Sequence, residues 1–408
     1  MRNTIYLVLL LLIAQTIRAQ APPEALEIPS KIFNGVRKVK VYLPDGYDQY
    51  PNRRYPVIYL FDAQSKPFLT YVKATLDYLS NNANTFISPV ILVGVETMRS
   101  RQFEFLPKNR TDQPLKDYWP KVKLGGADSL ATSLQEEIMT AIGSKYRCTN
   151  FNMGIGHSLG GSFVTYCLVK HPQLFQAVLA LSPNYYYDQE QLLTTFDSLA
   201  TGSALNKKFL YIAFGKGDKL EDRFRPSTLK MADILKKKHP VGLSWYVHSL
   251  DTDSHALTPI DGIYRGLVEF NKSLTASDEQ IAAFSSDTKY GVLAKLKGYY
   301  QAQSDKMGRL LPTVEDSNHL AYNFFYSDKK QEAISLLEWA LKLYPDDTNL
   351  YDSIGEIHQD MGHTQEALFY YTQGREHVEQ EKPLLKPKAY ADKANGFSGR
   401  IAKLKATH

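Results

Sequence analysis

The stretch of this 408-residue sequence best suited to chemistry is Gly156-His157-Ser158-Leu159-Gly160-Gly161. A G-x-S-x-G pattern fits a serine nucleophile held at a sharp turn from strand into helix. Glycines let the chain turn without side-chain clashes, and the hydroxyl stays exposed at the helix N-terminus. The pattern is common by chance, so its context decides. Here the apolar run FNMGIG (Phe151–Gly156) leads in, and an amphipathic stretch from Leu159 to Lys170 leads out. A serine hydroxyl is a weak nucleophile at neutral pH and needs a base. Of the ten histidines, His255 in DTDSHALTP follows the apolar run LSWYVHS by a polar loop. His248 lies inside that run, and His157 leaves the elbow in another direction. His319, His358, His363 and His377 belong to the C-terminal region. The base in turn needs an acid to orient it. FLYIAFG ends at Gly215, and Asp218 follows it, with Glu221 and Asp222 within one loop's reach. Asp218 is the expected third member, and its neighbours stay open as alternatives. An oxyanion needs backbone donors, here the N–H of Leu159 and that of Ala63 or Gln64 in FDAQ. No cluster with metal-ligand spacing appears, so neither a metal nor an organic cofactor is expected.

These residues need a frame. VKVYLP (Val39–Pro44) alternates as a half-buried strand does. PVIYLFD (Pro56–Asp62) and PVILVGVE (Pro89–Glu96) are continuous apolar runs, suited to strands buried on both faces. AVLALSP, FLYIAFG and LSWYVHS supply three more strands. Helical spacing appears over Phe68–Leu79, over Asp128–Tyr146 with Asp128 as N-cap, and over Met231–Lys238. Strand alternating with helix predicts a mostly parallel sheet covered on both faces. After Leu274 the texture turns all-helical, and a repeat with a period of 34 appears. Asn318, Ala321, Ala333 and Ala340 recur as Asp352, Gly355, Ala367 and Gly374. A 34-residue helix–turn–helix with Pro345 after its second helix is the tetratricopeptide pattern. Two copies cannot bury a continuous core unaided, so they should lean on the preceding domain.

Composition narrows the field. Hydrophobic residues at 43% and charged residues at 22% exclude disorder or collagen-like repeats as the main story. The net charge of +5 is not gathered into a long basic tract, so nucleic acid is a poor partner. Cys148 and Cys167 are too few for a disulfide scaffold, and whether they pair is open. At the N-terminus, Arg2, the ten-residue apolar run Ile5–Ala14 and a small residue at Ala19 read as a secretory leader, too short to span a membrane. The expected organisation is a leader at 1–19, a catalytic domain at 20–274, a helical connector at 275–310 and repeats at 311–408. The mature protein would be periplasmic or secreted, with no membrane span.

The sequence resembles the esterase family of the α/β-hydrolase fold. That group includes S-formylglutathione hydrolases, siderophore esterases of the ferric-enterobactin type, and feruloyl and acetyl-xylan esterases. The similarity rests on YPVIYLFDAQ (Tyr55–Gln64), VILVGVETMRSRQFEFLP (Val90–Pro107), GGADSLATSLQEEIMTAIGSKYR (Gly125–Arg147), GHSLGGSFVTYCLVKHPQLFQAVLALSPNYYY (Gly156–Tyr187) and the His255 loop. It implies a serine esterase with Ser158 as nucleophile, His255 as base and Asp218 as acid, although members more often carry Glu at the acid position. By resemblance an arginine after the VILVGVE strand lines the substrate pocket, which singles out Arg99 and Arg101. Tyr185 and Tyr186, at another strand end, could grip a ring or a sugar. The expected partner is a small-molecule or glycan ester, with a protein partner at the repeats. The rival reading is a tetratricopeptide scaffold on a hydrolase-like platform. Loss of Ser158 or His255 would favour it, and both are present.

Overall fold

The computed structural model describes residues 22–80, 87–110, 123–199, 205–251, 253–286, 291–307 and 309–406. The expected leader lies outside the described residues. Eight strands form one sheet: β1 (Glu24–Ser30), β2 (Gly35–Tyr42), β3 (Tyr55–Phe61), β4 (Ile91–Val95), β5 (Cys148–His157), β6 (Ala177–Leu181), β7 (Lys208–Gly215) and β8 (Leu243–Leu250), in the order β1-β2-β4-β3-β5-β6-β7-β8. β1 and β2 make an antiparallel hairpin, β2 pairs antiparallel with β4, and every later pairing is parallel. β1 had no clear signal in the sequence. Its outer positions are exposed and it contains Pro29, which an edge strand tolerates.

The buried runs work as their composition predicts. In β3, Val57, Tyr59 and Phe61 face one core, and Ile58 and Leu60 face the other. Helices cover both faces. On the first lie α3 (127–145), α4 (Leu159–Lys170), α5 (Tyr187–Leu199) and α6 (Lys219–Lys238). On the second lie α1 (Lys66–Ser80) and α7 (Thr258–Lys272). A short α2 (Arg101–Phe105) follows β4. α6 begins well before the expected Met231, despite Pro226 inside it. α3 has Gly126 rather than Asp128 at its N-cap, because the Asp128 carboxylate accepts instead from Tyr166 and His171. Cys148 and Cys167 are both free thiols.

The rest is helical: α8 (Asp278–Ser286), α9 (Gly291–Met307), α10 (Val314–Tyr326), α11 (Lys330–Leu343), α12 (Thr348–Asp360), α13 (Thr364–Glu381) and α14 (Pro387–Ala406). α12 and α13 begin 34 residues after α10 and α11. Ala321, Ala333, Ala340 and Ala367 are fully buried at the repeated positions. A Cβ on Gly355 would come within 2.5 Å of the Tyr371 ring, so smallness there is a packing need.

The second core does not stop at Leu274. One buried cluster runs from Ile58 and Leu179 through Phe270 and Leu274 to Leu296, Leu320, Leu337 and Ile354. Polar bolts close the seam at the end of the sheet where β3 and β5 begin. Arg53 meets Glu315 at 2.6 Å and grips Asp347 with two nitrogens, while Asn52 reaches Glu381 at 3.2 Å. Burial opposes the Arg53 charge, but Asp347 and Glu315 outweigh it and hold its pKa above the ordinary value. No helix among the described residues is long and apolar enough to cross a membrane.

Candidate active site

At the other end of the sheet, the carboxyl ends of the central parallel strands are irregular one after another. Asp62, Ser158 and Ser182, just past or at the ends of β3, β5 and β6, have φ of 65°, 59° and 41°. Such backbone costs about 1–3 kcal/mol per residue and persists where the surrounding structure enforces it. β7 ends at Gly215, where a Cβ would lie 2.1 Å from the Asp253 carbonyl. Ligands in open α/β sheets bind at this edge.

Ser158 occupies the elbow between β5 and α4. Its N–H donates to the Leu181 carbonyl at 2.8 Å, and its own carbonyl accepts from Ser162 at 3.1 Å. Gly156 is required by close approach, since a Cβ there would lie 2.2 Å from the Gly160 backbone. The Leu159 N–H, at the start of α4, has no backbone partner among the described residues.

His255 follows β8 and is 8% exposed. Its ring lies between those of His157, 4.6 Å between centroids, and Phe224, at 5.4 Å. Its Nδ1 is 2.9 Å from Oε1 of Glu221, whose side chain is fully buried on the first turn of α6. The other Glu221 oxygen accepts from the Gly215 N–H at 2.9 Å. Burial acts to raise the Glu221 pKa. The hydrogen bonds it receives, that of His255 foremost, win and hold it below the usual carboxylate value.

Asp218, the expected orienting acid, does not touch the imidazole. It is the N-cap of α6: Oδ1 accepts from the N–H groups of Leu220 and Glu221, while Oδ2 accepts from the backbone N–H of His255 at 2.8 Å. The cap at Asp218 starts the helix and thereby turns Glu221, three residues on, toward the ring. The sequence placed both acids in one loop, and only the helix phase separates their roles.

His157 is more than packing. Its Nε2 donates to the His255 carbonyl at 2.8 Å, and its carbonyl accepts from Arg101 at 3.4 Å. Burial, aided by the neighbouring His255, pushes its pKa down to about 3. The imidazole therefore stays neutral and ties the His255 loop to the residue before Ser158. Ser158 and His255 share no hydrogen bond in this structure, a separation that active sites commonly close only once substrate is bound.

The Ala63 N–H is already donated to the Val95 carbonyl at 3.2 Å, which removes it as an oxyanion donor. The Gln64 N–H has no backbone partner among the described residues. The Gln64 side chain is pinned between Asp62 and the Thr97 N–H. Arg101 reaches this rim in a bidentate pair with Asp62, at 2.7 and 2.9 Å. Arg99 is turned elsewhere: its guanidinium donates to the Phe33 carbonyl at 2.9 Å, and its N–H to Glu104. Glu104 and Arg37 form a fully buried ion pair at 2.6 Å, which anchors the segment carrying both arginines. Tyr186 is 51% exposed, near Arg223. Tyr185 is only 1% exposed, with its hydroxyl 2.8 Å from that of Thr165. It therefore belongs to the core rather than to an open substrate face. It lines, with Ser162 and Asn184, a cavity of about 320 Å³ behind α4, to which neither Ser158 nor His255 contributes.

Residues 30–225 match the family described as "Putative esterase", a span holding Ser158, Asp218 and Glu221 but ending before His255. The ferri-bacillibactin esterase BesA of Bacillus subtilis is 28% identical over 180 residues, 41% of this chain and 61% of that protein. The chain thus spans less than two thirds of that relative's length. Among solved structures, an IroE-like serine hydrolase from Shewanella oneidensis has a TM-score of 0.66 at 21% identity, covering 79% of this chain and 99% of that one. An uncharacterised protein from Capnocytophaga ochracea has a TM-score of 0.62 at 14% identity, covering 94% of this chain and 99% of that one. The structural likenesses show a shared fold, which in the second extends over the helical region. The family match adds a likeness to esterases over residues 30–225.

Proposed function

We propose that the protein is a serine esterase whose working groups are Ser158, His255 and Glu221. The observation that carries the reading is the buried 2.9 Å contact between His255 Nδ1 and Glu221, beside a strained Ser158 elbow. With Nδ1–H donated to Glu221, Nε2 is the free lone pair. Nε2 takes the Ser158 proton as Oγ attacks the ester carbonyl. The N–H groups of Leu159 and Gln64 hold the oxyanion. His255 then protonates the leaving alkoxide, and a water repeats the cycle to release the acid. Glu221 fixes the tautomer and stabilises the imidazolium.

The substrate class we favour is a bulky phenolic or siderophore-type ester. The name of the Bacillus relative supports it. We assign Arg101, whose side chain is 35% exposed, to an anionic or catechol-bearing group that would compete with Asp62 for its fork. We read the C-terminal helix pairs as tetratricopeptide-like, and the N-terminal leader as directing export.

The test is a panel of p-nitrophenyl acetate, a feruloyl ester, acetylated xylan and a tri-catecholate trilactone. The proposal expects turnover of p-nitrophenyl acetate and faster turnover of the trilactone or the feruloyl ester. No hydrolysis of any of the four would overturn it. Arg101→Ala should damage the trilactone far more than p-nitrophenyl acetate, and equal damage to both would assign Arg101 a structural role.

A further inference from the structure

A second cavity, of about 510 Å³, lies in the seam between the sheet and the C-terminal helices. It opens at the amino ends of β3 and β5, whereas Ser158 follows the carboxyl end of β5. The path from Phe151 to His157 along that strand is about 20 Å at roughly 3.3 Å per residue. The cavity is therefore separate from the catalytic edge. Its size suits a small organic ligand.

The cations of this seam are not equivalent. Arg53 is matched by Glu315 and Asp347, and Lys393 by Glu381 at 2.6 Å. Arg309, which also lines the cavity, forms no salt bridge or hydrogen bond with any described residue. Its guanidinium stands 5.2 Å from the centre of the Phe151 ring. Burial lowers its pKa, while Asp316, Tyr344 and Glu315 pull the other way from beyond salt-bridge distance. Asp316 is already committed to the Thr313 N–H and Glu315 to Arg53. The walls near this unmatched charge are aromatic: Tyr50, Tyr55, Phe151 and Tyr344. A planar guanidinium pairs best with a planar carboxylate, and aromatic walls take a flat ring.

We propose that this seam cavity binds a small aromatic carboxylate, its carboxylate on Arg309 and its ring among Tyr50, Phe151 and Tyr344. Occupancy would compensate Arg309, which unlike Arg53 and Lys393 has no carboxylate partner among the described residues, and would join the sheet to the helical region through the ligand.

The probe is benzoate, titrated calorimetrically into the full chain after Ser158 has been blocked by a fluorophosphonate. Saturable binding with a Kd of about 1 mM or tighter is expected, and acetate should bind at least about ten-fold more weakly. Arg309→Gln should weaken benzoate by about ten-fold or more while leaving p-nitrophenyl acetate turnover unchanged. Asn150→Trp, at an exposed position on the cavity wall, should also reduce binding by narrowing the space. It serves as the second variant should Arg309→Gln fail to fold by circular dichroism. The absence of saturable binding to roughly 10 mM would overturn the proposal. So would equal affinity in wild type and the folded variants, or benzoate behaving as a competitive inhibitor of p-nitrophenyl acetate with its affinity independent of Arg309.

Discussion

The two ends of the sheet treat charge and backbone in opposite ways. At the carboxyl end, β3, β5 and β6 run into residues with positive φ; His255 and the Ser158 elbow sit on turns, and Glu221 on the first turn of α6. At the amino ends of β3 and β5 no described flanking residue has positive φ, and long side chains from distant parts of the sequence meet across the seam: Arg53 with Asp347, Asn52 with Glu381, Lys386 with Asp48. One end stores strain to present groups that react. The other uses ion pairs and a continuous apolar cluster to hold two parts together. The difference implies that changes at the first end should cost rate, and changes at the second should cost stability.

The largest separation is expected from the base. His255→Ala should lower kcat/KM by about 10⁴-fold or more, as losses from such a unit do. His248→Ala should not, because His248 sits within β8 with its Nδ1 3.1 Å from the Tyr211 hydroxyl. An inactive His248→Ala beside an active His255→Ala, both folded by circular dichroism, would reassign the base.

Next is the contrast between the two acids. Glu221→Gln should reduce kcat by about 10³–10⁴-fold, since the amide no longer enforces the right tautomer. Asp218→Asn should stay within about ten-fold in rate and appear mainly as a loss of about 1 kcal/mol in denaturant unfolding, the typical worth of an N-cap. The opposite ranking in steady-state kinetics would return the acid role to Asp218.

This contrast also marks what the sequence could and could not say. The elbow was legible because glycines and flanking apolar periodicity are local signals, and His255 because it follows a strand by one loop. Glu221 was in view but not separable from Asp218, because the choice depends on where α6 begins. That start is set by the cap the carboxylate of Asp218 makes with its own chain. Ala63 is adjacent to the proposed donor Gln64, and only its pairing with Val95 in the neighbouring strand sets the two apart. Tyr185 and Tyr186 are neighbours in sequence with opposite exposure, which chain direction at the end of β6 decides and composition does not. The 34-residue period foresaw the helix pairs. The seam pairs join residues more than 260 positions apart, beyond the reach of any local pattern.

At the amino end, Asp347→Asn should leave kcat on p-nitrophenyl acetate unchanged. It should lower unfolding stability by on the order of 2–3 kcal/mol, somewhat less than a fully buried pair because the Arg53 side chain is 17% exposed. A rate effect without a stability effect would break the division between the two ends. Ending the chain near Leu274 should be more damaging to stability still, since it strips partners from Phe270 and Leu274 in the shared cluster.

The effect confined to acid pH concerns His157. Its folded pKa of about 3 lies below the usual histidine value of about 6.5, so the unfolded chain binds the extra proton first. Stability should therefore fall as pH drops below about 6.5, by up to roughly 1.4 kcal/mol per pH unit from this group. Urea unfolding of His157→Gln between pH 7 and 4 should show a shallower slope than wild type. Identical slopes would remove His157 from the acid sensitivity.

The most direct test of the account is to find the atom that becomes acylated. Rapid quenching during p-nitrophenyl acetate turnover, followed by peptide mass spectrometry, should place the acetyl group on Ser158 alone. The adduct should persist longer when Glu221→Gln slows deacylation, and it should be absent in Ser158→Ala. An acetyl group on another residue, or turnover retained in folded Ser158→Ala protein, would contradict the assignment of this edge as the site of ester hydrolysis.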